Sequence, residues 1–318
     1  MNKFFLLIAV ICSLLLSGGE LRAASSGKCG DNITWTLDDN GLLTLTGSGK
    51  MYDYGCEFIP RPGASTPWLH AYKTIKKISI GNGITYIGTC AFAECGSAKE
   101  VNIPASITHI GEHAFYECDS CNVNIYDLTA WCNINFDDSS ANPLTFEGGG
   151  LYINGTSVVD LVIPSSIRQI KASTFASCTS LKSVVMPNVT EIGNNAFSGC
   201  SNLTTVNAPN ASKIGGGSFS YCSLTTVDLP NAYEIGDGAF SGCDSLTTVN
   251  APNASEIGGA AFRYCENLTI VNLPNASKIG DYAFSNCESL TTADFPNASE
   301  IGDGAFLRLQ QFNGCRLT

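Results

Sequence analysis

Charge is what this sequence has least of. Only 14% of its 318 residues are charged, 28 acidic against 17 basic, for a formal net charge of −11. That balance argues against nucleic acid, which demands clustered Lys and Arg to neutralise phosphate. Histidine is scarcer still, at three, so no Ser/His/Asp constellation can be picked out. Beyond the first 24 residues no apolar run approaches the roughly 18–20 residues of a transmembrane helix, and membrane insertion of the mature chain is not expected. The polar surface must come mainly from Asn, Ser, Thr and Gly, and its mild acidity serves solubility.

Residues 1–24 place Lys3 before the apolar run Phe4 to Leu16, then Ser17-Gly18-Gly19 and a small-residue exit at Ala23-Ala24. These are the three regions of a secretory leader, so a secreted or cell-surface location is expected. Export leaves all of the 15 cysteines but Cys12 in an oxidising compartment, where a disulfide framework would be usual. Their spacing says otherwise. Cys178, Cys200, Cys222, Cys243, Cys265 and Cys287 recur at one position of a repeat, as do Cys95 and Cys118. Equivalent side chains on stacked coils run parallel, whereas a disulfide needs its two Cβ atoms turned toward each other. The ladder is therefore read as buried free thiols. Cys29 and Cys56 stand outside it and are the expected disulfide, with Cys121–Cys132 a weaker second pair.

The repeat organises everything else. Leu268 to Cys287 reads LTIVNLPNASKIGDYAFSNC, and Leu246 to Cys265 and Leu203 to Cys222 are near copies. A fixed period means a stack of supersecondary units, none able to bury its apolar side alone. Each unit starts with a period-2 apolar block, a short parallel strand ended by Pro. A turn, an Ile-Gly strand and Ala-Phe-x-x-Cys follow, the last expected as a helical turn dropping Phe and Cys into the core. Coils are near 23 residues in the early half and 22 in the later half.

Three segments are expected: the leader at 1–24, an N-terminal β cap at 25–74, and a solenoid at 75–318 with an irregular insertion at 119–158. In the cap, Ile33, Trp35 and Leu37 alternate with polar residues, Asp38 to Gly41 turns, and Leu43 and Leu45 continue: a β-hairpin covering the first coil. In the insertion, Asn124 to Phe136 with Leu151 to Gly155 reads as an expanded coil carrying a hairpin. At the far end, Phe312 to Cys315 reads as a slipped copy of the last turn, with end-to-end association or a frayed last coil expected.

The period, the Ile-Gly-x-x-Ala-Phe-x-x-Cys segment, the opening Cys29-Gly-Asp-Asn-Ile-Thr-Trp-Thr-Leu and the insertion from Trp131-Cys132-Asn133-Ile134 to Asn142-Pro143-Leu144 together resemble the BspA-type leucine-rich repeat surface proteins of bacteria. The resemblance covers residues 28 to 315. It implies a leucine-rich repeat solenoid, secreted or surface-exposed, that adheres to host matrix proteins or other microbes and uses no cofactor.

Motifs that suggest chemistry have plainer explanations. His109-Ile110-Gly111-Glu112-His113 matches a zinc-protease pattern that needs one helical face, but it occupies the Ile-Gly turn of a coil. Cys90, Cys95, Cys118 and Cys121 form no thiolate zinc site if Cys95 and Cys118 belong to the ladder. Gly215-Gly216-Gly217 and the Ile-Gly-Asp-Gly segments at Ile235 and Ile301 lack a following Lys and a long helix, and read as turns needing permissive φ. No catalytic, metal or cofactor site is expected.

The candidate site is instead a face. Residues between the strand anchors point outward, stacking Thr205, Asn207, Thr226, Asp228, Thr248, Asn250, Asn272, Thr292 and Asp294 into columns that offer hydrogen-bond acceptors to a basic protein segment. The alternative is a carbohydrate or mucin site in which Tyr126, Trp131 and Tyr152 of the insertion stack on sugar rings. A structural surface-assembly role is the third reading.

Overall fold

The computed structural model describes residues 25–57, 59, 65–145, 149–291, 293–309 and 315–316. The leader at 1–24 lies outside them. Three antiparallel strands open the chain: β1 (Ser25–Gly30), β2 (Ile33–Leu37) and β3 (Leu42–Gly47). The β2–β3 hairpin forms as expected, with Trp35 opposite Leu45 and Gly41 at φ 84° in the turn. Asp38 Oδ1 accepts the backbone N–H of Asn40 and Leu42 there. β3 then pairs in parallel with Lys77–Ile80 of the first coil, setting Leu43 beside Ile78. The cap thus hands its edge directly to the stack, and β1 adds a strand that alternation alone had not marked.

Two parallel ladders run along the solenoid. The Ile-Gly strands from Gln169–Ile170 to Glu300–Ile301 form one unbroken seven-stranded sheet. The Thr/Val strands do not. Thr205–Asn207 ends one sheet and Thr226–Asp228 begins another. The break coincides with a missing residue. Elsewhere the ladder cysteine and the next strand leucine are separated by two residues, closing a turn such as Leu203 N–H to Cys200 O at 2.9 Å or Leu246 N–H to Cys243 O at 3.0 Å. Between Cys222 and Leu224 there is only Ser223, too little chain for that bond, and strand pairing fails at this coil.

Between the ladders lies the core. Phe175, Phe197, Phe219, Phe240, Phe262 and Phe284 stack with ring centroids 5.2 to 5.4 Å apart and planes within 13° of parallel. Nearer the cap, Trp68 stacks over Phe92 at 5.5 Å and Phe92 over Phe115 at 5.2 Å, and Trp35 of the cap meets Trp68 edge-on at 5.7 Å. The Ala-Phe-x-x-Cys segment is not helical. It is a run of turns in which the residues two before and two after each Phe sit in the left-handed region, as at Asn195 (φ 55°) and Gly199 (φ 72°). Alternate N–H groups then point along the stack: Asn195, Phe197 and Gly199 donate to Gly216, Ser218 and Ser220 of the next coil at 2.8 Å each. A helix would turn those donors inward, and the stack would lose its third ladder.

The cysteines of this segment are free and buried. Cys200, Cys222, Cys243, Cys265 and Cys287 each aim Sγ at the carbonyl of the Phe in the preceding coil, at 3.1 to 3.2 Å. That carbonyl also accepts the N–H of its own coil's cysteine, as Phe197 O does from Cys200 at 3.2 Å. Cysteine is small enough for the interior and still supplies the second donor.

The expected Cys29–Cys56 disulfide is not formed. Cys29 is fully buried within the cap, and its carbonyl takes the N–H of Tyr52. Cys56 instead bonds Cys90. Met51 and Tyr54 donate to Tyr86 O and Thr89 O, so the chain leaving the cap runs beside the first coil and delivers Cys56 to the next turn. Cys121 and Cys132 are both free and buried. At the other end, Cys315–Arg316 pairs in parallel with Ala293–Asp294, so Cys315 holds a strand position and is no slipped ladder member. Residues 310–314 and 317–318 lie outside the description. No described helix is long and apolar enough to cross a membrane.

Two measurements check this account. Inserting Asn after Ser223 should restore the turn and join the two strand sheets, raising amide-exchange protection at Thr226 and Val227; unchanged exchange would mean another cause for the break. Burial pushes the Cys243 and Cys287 thiols from 9.0 up to about 12. Below pH ~9 thiols are protonated in both folded and unfolded chains, so their contribution is complete. As pH rises from 9 towards 12 the unfolded chain releases protons that the folded chain keeps, and stability must fall. The Cys243→Ala/Cys287→Ala variant should flatten that alkaline decline in melting temperature, and thiol counting on the denatured, unreduced protein should find the ladder cysteines free.

Candidate binding face

The strand anchors Val227 and Val249 face the core and force their neighbours out. Parallel register aligns Thr226 with Thr248 and Ile270, and Asp228 with Asn250 and Asn272. Thr226, Asp228 and Asn272 are exposed, while Thr248 and Asn250 are half-buried. Thr205 and Asn207 are exposed too, but lie across the sheet break, so the face is two patches. Thr292 falls outside the described residues, and Asp294 is described only as backbone.

The second column is wired together. Asn272 Nδ2 donates to Asn250 Oδ1 at 2.6 Å, and Asn250 Nδ2 donates to Asp228 Oδ1 at 2.7 Å. Asn250 spends one donor and its acceptor oxygen on its neighbours, and Asn272 spends one donor. The column is therefore not the free row of acceptors that spacing alone suggests. It is an ordered polar strip ending on a carboxylate.

Other repeated polar residues serve the stack. Asn210, Asn231, Asn253, Asn275 and Asn297 each donate Nδ2 to the carbonyl of the proline one coil back, at 2.6 to 2.8 Å. The Pro-Asn pair is thus a ladder in its own right, which the recurrence of the motif could have signalled. The Ile-Gly glycines are also structural, though not for their φ: a Cβ on Gly236 would lie 2.7 Å from Gly216 N, and one on Gly258 2.5 Å from Asp237 N. Coils touch backbone to backbone there. Only the second glycine of Ile-Gly-Asp-Gly, at Gly238 and Gly304, takes a left-handed φ, 61° in both.

The aromatic alternative fares differently at each residue. Trp131 is 1% exposed and donates Nε1 to Thr174 O at 3.2 Å, so it cannot stack on a sugar. It lies in the helix α1 (Leu128–Cys132), capped by Asp127, and its bulk fills the expanded coil, where Asn142 Nδ2 also bonds Thr174 O. Tyr126 is 51% exposed. Tyr152, on the strand Leu151–Ile153 beside Asn124, lines a cleft with Lys76, Lys77 and Lys99. That cleft went unread in the sequence, although Lys76-Lys77 and Lys99 are one coil apart.

His109 and His113 are not on one helical face: His109 ends a strand and His113 sits at φ 55° in a turn. His109 Nε2 pairs with Asp137 at 2.7 Å and His113 Nδ1 with Asp138 at 2.6 Å, tying the expanded coil to the one before. Glu112, His113 and Asp138 bring three donor atoms within 4.8 Å of one another, but Asp138 Oδ1 is committed to capping Ala141 N. Cys90 is in the disulfide and Cys118 Sγ bonds Phe92 O, which disposes of the four-thiol arrangement.

Residues 69–153, 150–214 and 212–316 match the family model described as the BspA type leucine rich repeat region, in six copies. Among solved structures the chain is similar to a leucine-rich repeat protein from Eubacterium ventriosum, at 22% identity and a TM-score of 0.52, covering 91% of this chain and 95% of that one. It is also similar to a leucine rich cell surface protein from Faecalibacterium prausnitzii (18%, TM-score 0.44, 92% and 88% covered) and a leucine-rich repeat protein from Bacteroides ovatus (19%, TM-score 0.44, 88% and 91%). At such identities the likeness concerns the fold. No curated protein matches in sequence.

The burial of Trp131 yields a graded expectation. Trp131→Ala should destabilise by roughly 3–5 kcal/mol, as large core truncations do, while Trp131→Phe should cost far less by keeping most of the volume. Equal, negligible losses in denaturant midpoint would put the indole at the surface.

Proposed function

The chain belongs to the BspA-type leucine-rich repeat family, and from that premise we propose that it is an exported, surface-exposed scaffold that binds a macromolecular partner rather than a catalyst. The partner is a protein of the host matrix or of another microbe, held through a basic segment on the strand face. One observation carries this reading: the hydrogen-bonded column from Asp228 through Asn250 to Asn272. Side chains already fixed by their neighbours lose little rotamer freedom on binding, and the repeat sets them at the spacing of parallel strands, about 4.8 Å. Ile270, 58% exposed beside this column, supplies the apolar contact that a purely solvating surface would omit. The overall charge of −11 draws a basic segment in at long range.

A matrix-protein panel run beside a glycan array separates the two macromolecular readings. Asp228→Lys with Asn272→Lys should weaken binding to the matrix partner by about tenfold or more and reverse its salt dependence, with the melting temperature almost unchanged because exposed charges contribute little to folding. Full affinity in that variant, or binding confined to glycans, would remove the site from this face.

A further inference from the structure

The cleft around Tyr152 has a chemistry opposite to that of the rest of the molecule. Its floor is the strand face of the early coils, where Lys77, Glu100 and Asn122 align in one column and Asn102 and Asn124 in the next. Its wall is the inserted hairpin, Leu151–Ile153 with Thr156–Ser157, whose Gly155 N–H donates to Asn124 Oδ1 at 2.8 Å. The open cleft holds about 410 Å³, within the range of small-ligand sites.

Three lysines reach this space in a chain with only 17 basic residues. One is neutralised: Lys77 Nζ lies 2.6 Å from Glu100 Oε1. Lys99 is held in place by the carbonyls of Gly96 and Asp119, at 3.4 and 3.3 Å, neither of which cancels its charge. Lys76 bonds Gly41 and Lys99 through its backbone only, and its Nζ has no polar partner among the described residues. The cleft therefore carries two uncompensated ammonium groups. Asn122 and Asn124 have their Oδ1 atoms occupied by Gly150 N and Gly155 N, and Asn124 Nδ2 gives one N–H to Asn102 Oδ1 at 2.9 Å, which leaves the Asn122 amide and the second Asn124 N–H to face a ligand as donors. Apart from Glu100, whose charge Lys77 balances, the polar groups on offer suit an acceptor-rich anion, and the half-buried Tyr152 adds a ring face and a hydroxyl.

We propose that this cleft binds an acidic saccharide, one bearing a carboxylate or a sulfate. Lys76 and Lys99 take the acid group, the asparagine amides take ring and hydroxyl oxygens, and Tyr152 stacks on the sugar. A long acidic peptide fits less well, because the hairpin closes one end of the floor and a compact ligand fills what remains. The site is independent of the strand-face reading, lying on different coils and selecting the opposite charge.

Titration calorimetry with 3′-sialyllactose and with a heparin-derived disaccharide tests it, with lactose and a glutamate-rich peptide as comparators. At least one acidic sugar should bind, lactose about tenfold or more weaker, and which one binds tells carboxylate from sulfate sources. Lys76→Glu/Lys99→Glu should weaken binding by about tenfold or more, Tyr152→Ala should do likewise, and Tyr152→Phe should retain most of it. Circular dichroism confirms that each variant is folded. Asp228→Lys should leave this binding untouched, so failure here and failure of the strand-face reading are distinguishable. Absence of binding to both acidic sugars, or affinity indifferent to the lysine pair, would overturn the proposal. So would a peptide bound as tightly as the sugars and insensitive to Tyr152→Ala, which would assign the cleft to acidic protein segments.

Discussion

The close approach of one coil to the next governs this molecule. Parallel strands lie about 4.8 Å apart, and every residue on one coil must tolerate its counterpart at that distance. Flat phenylalanine rings can, at centroid spacings of 5.2 to 5.4 Å. So can thiols, each resting on the carbonyl beneath it. Where backbones touch, only glycine fits, as at Gly236 and Gly258. Opposite charges stacked in register can pair, and Lys213 sits between Glu191 and Glu234 and bonds the latter at 3.2 Å, while the exposed Glu256 follows Glu234 with like sign. The repeat pattern is this constraint written out once per coil.

The same constraint decides what could be read in advance. Many features that recur were legible: the strand block, the Ile-Gly pair, Phe and Cys in the core, and the free thiols of the ladder; the Pro-Asn ladder recurs and was missed. Features set by a single encounter were not. Cys56 meets Cys90 because the chain leaving the cap happens to run beside Tyr86 to Thr89, and spacing holds no trace of that. Trp131 looked like a surface aromatic because it stands in an irregular segment, yet an expanded coil has more interior to fill and takes the largest side chain there. The turns around each Phe were misread as helical since Ala, Phe and Cys say nothing of φ. A partial clue lay in the Gly and Asn found two residues from several of the Phe, as at Asn195, Gly199, Gly238 and Gly242, types that reach the left-handed region most cheaply; Tyr, Glu and Ala at the same positions elsewhere hide it.

Irregularity has a second consequence, for the outer surface. The later strand face divides at the coil that lacks a residue between Cys222 and Leu224, and the inserted hairpin borders the earlier one, in a cleft it shares with Lys76 and Lys99. A perfectly periodic solenoid would present one uniform strip, able to bind only something equally periodic. This chain presents separate patches of opposite sign: a basic cleft near the cap and an acid-ended amide strip beyond the break.

Those patches draw on the freedom that stacking leaves. Core positions answer to both neighbouring coils, so a change at Phe219 disturbs Phe197 and Phe240 together. Outward positions such as Asp228 or Lys76 answer to at most one hydrogen bond along the stack, and exchanging them costs the fold little. Ligand preference can therefore drift from one coil to the next while the core is held fixed. The residues that say least about the fold, the non-repeating ones at strand positions and in the insertion, are the ones that can vary without disturbing it.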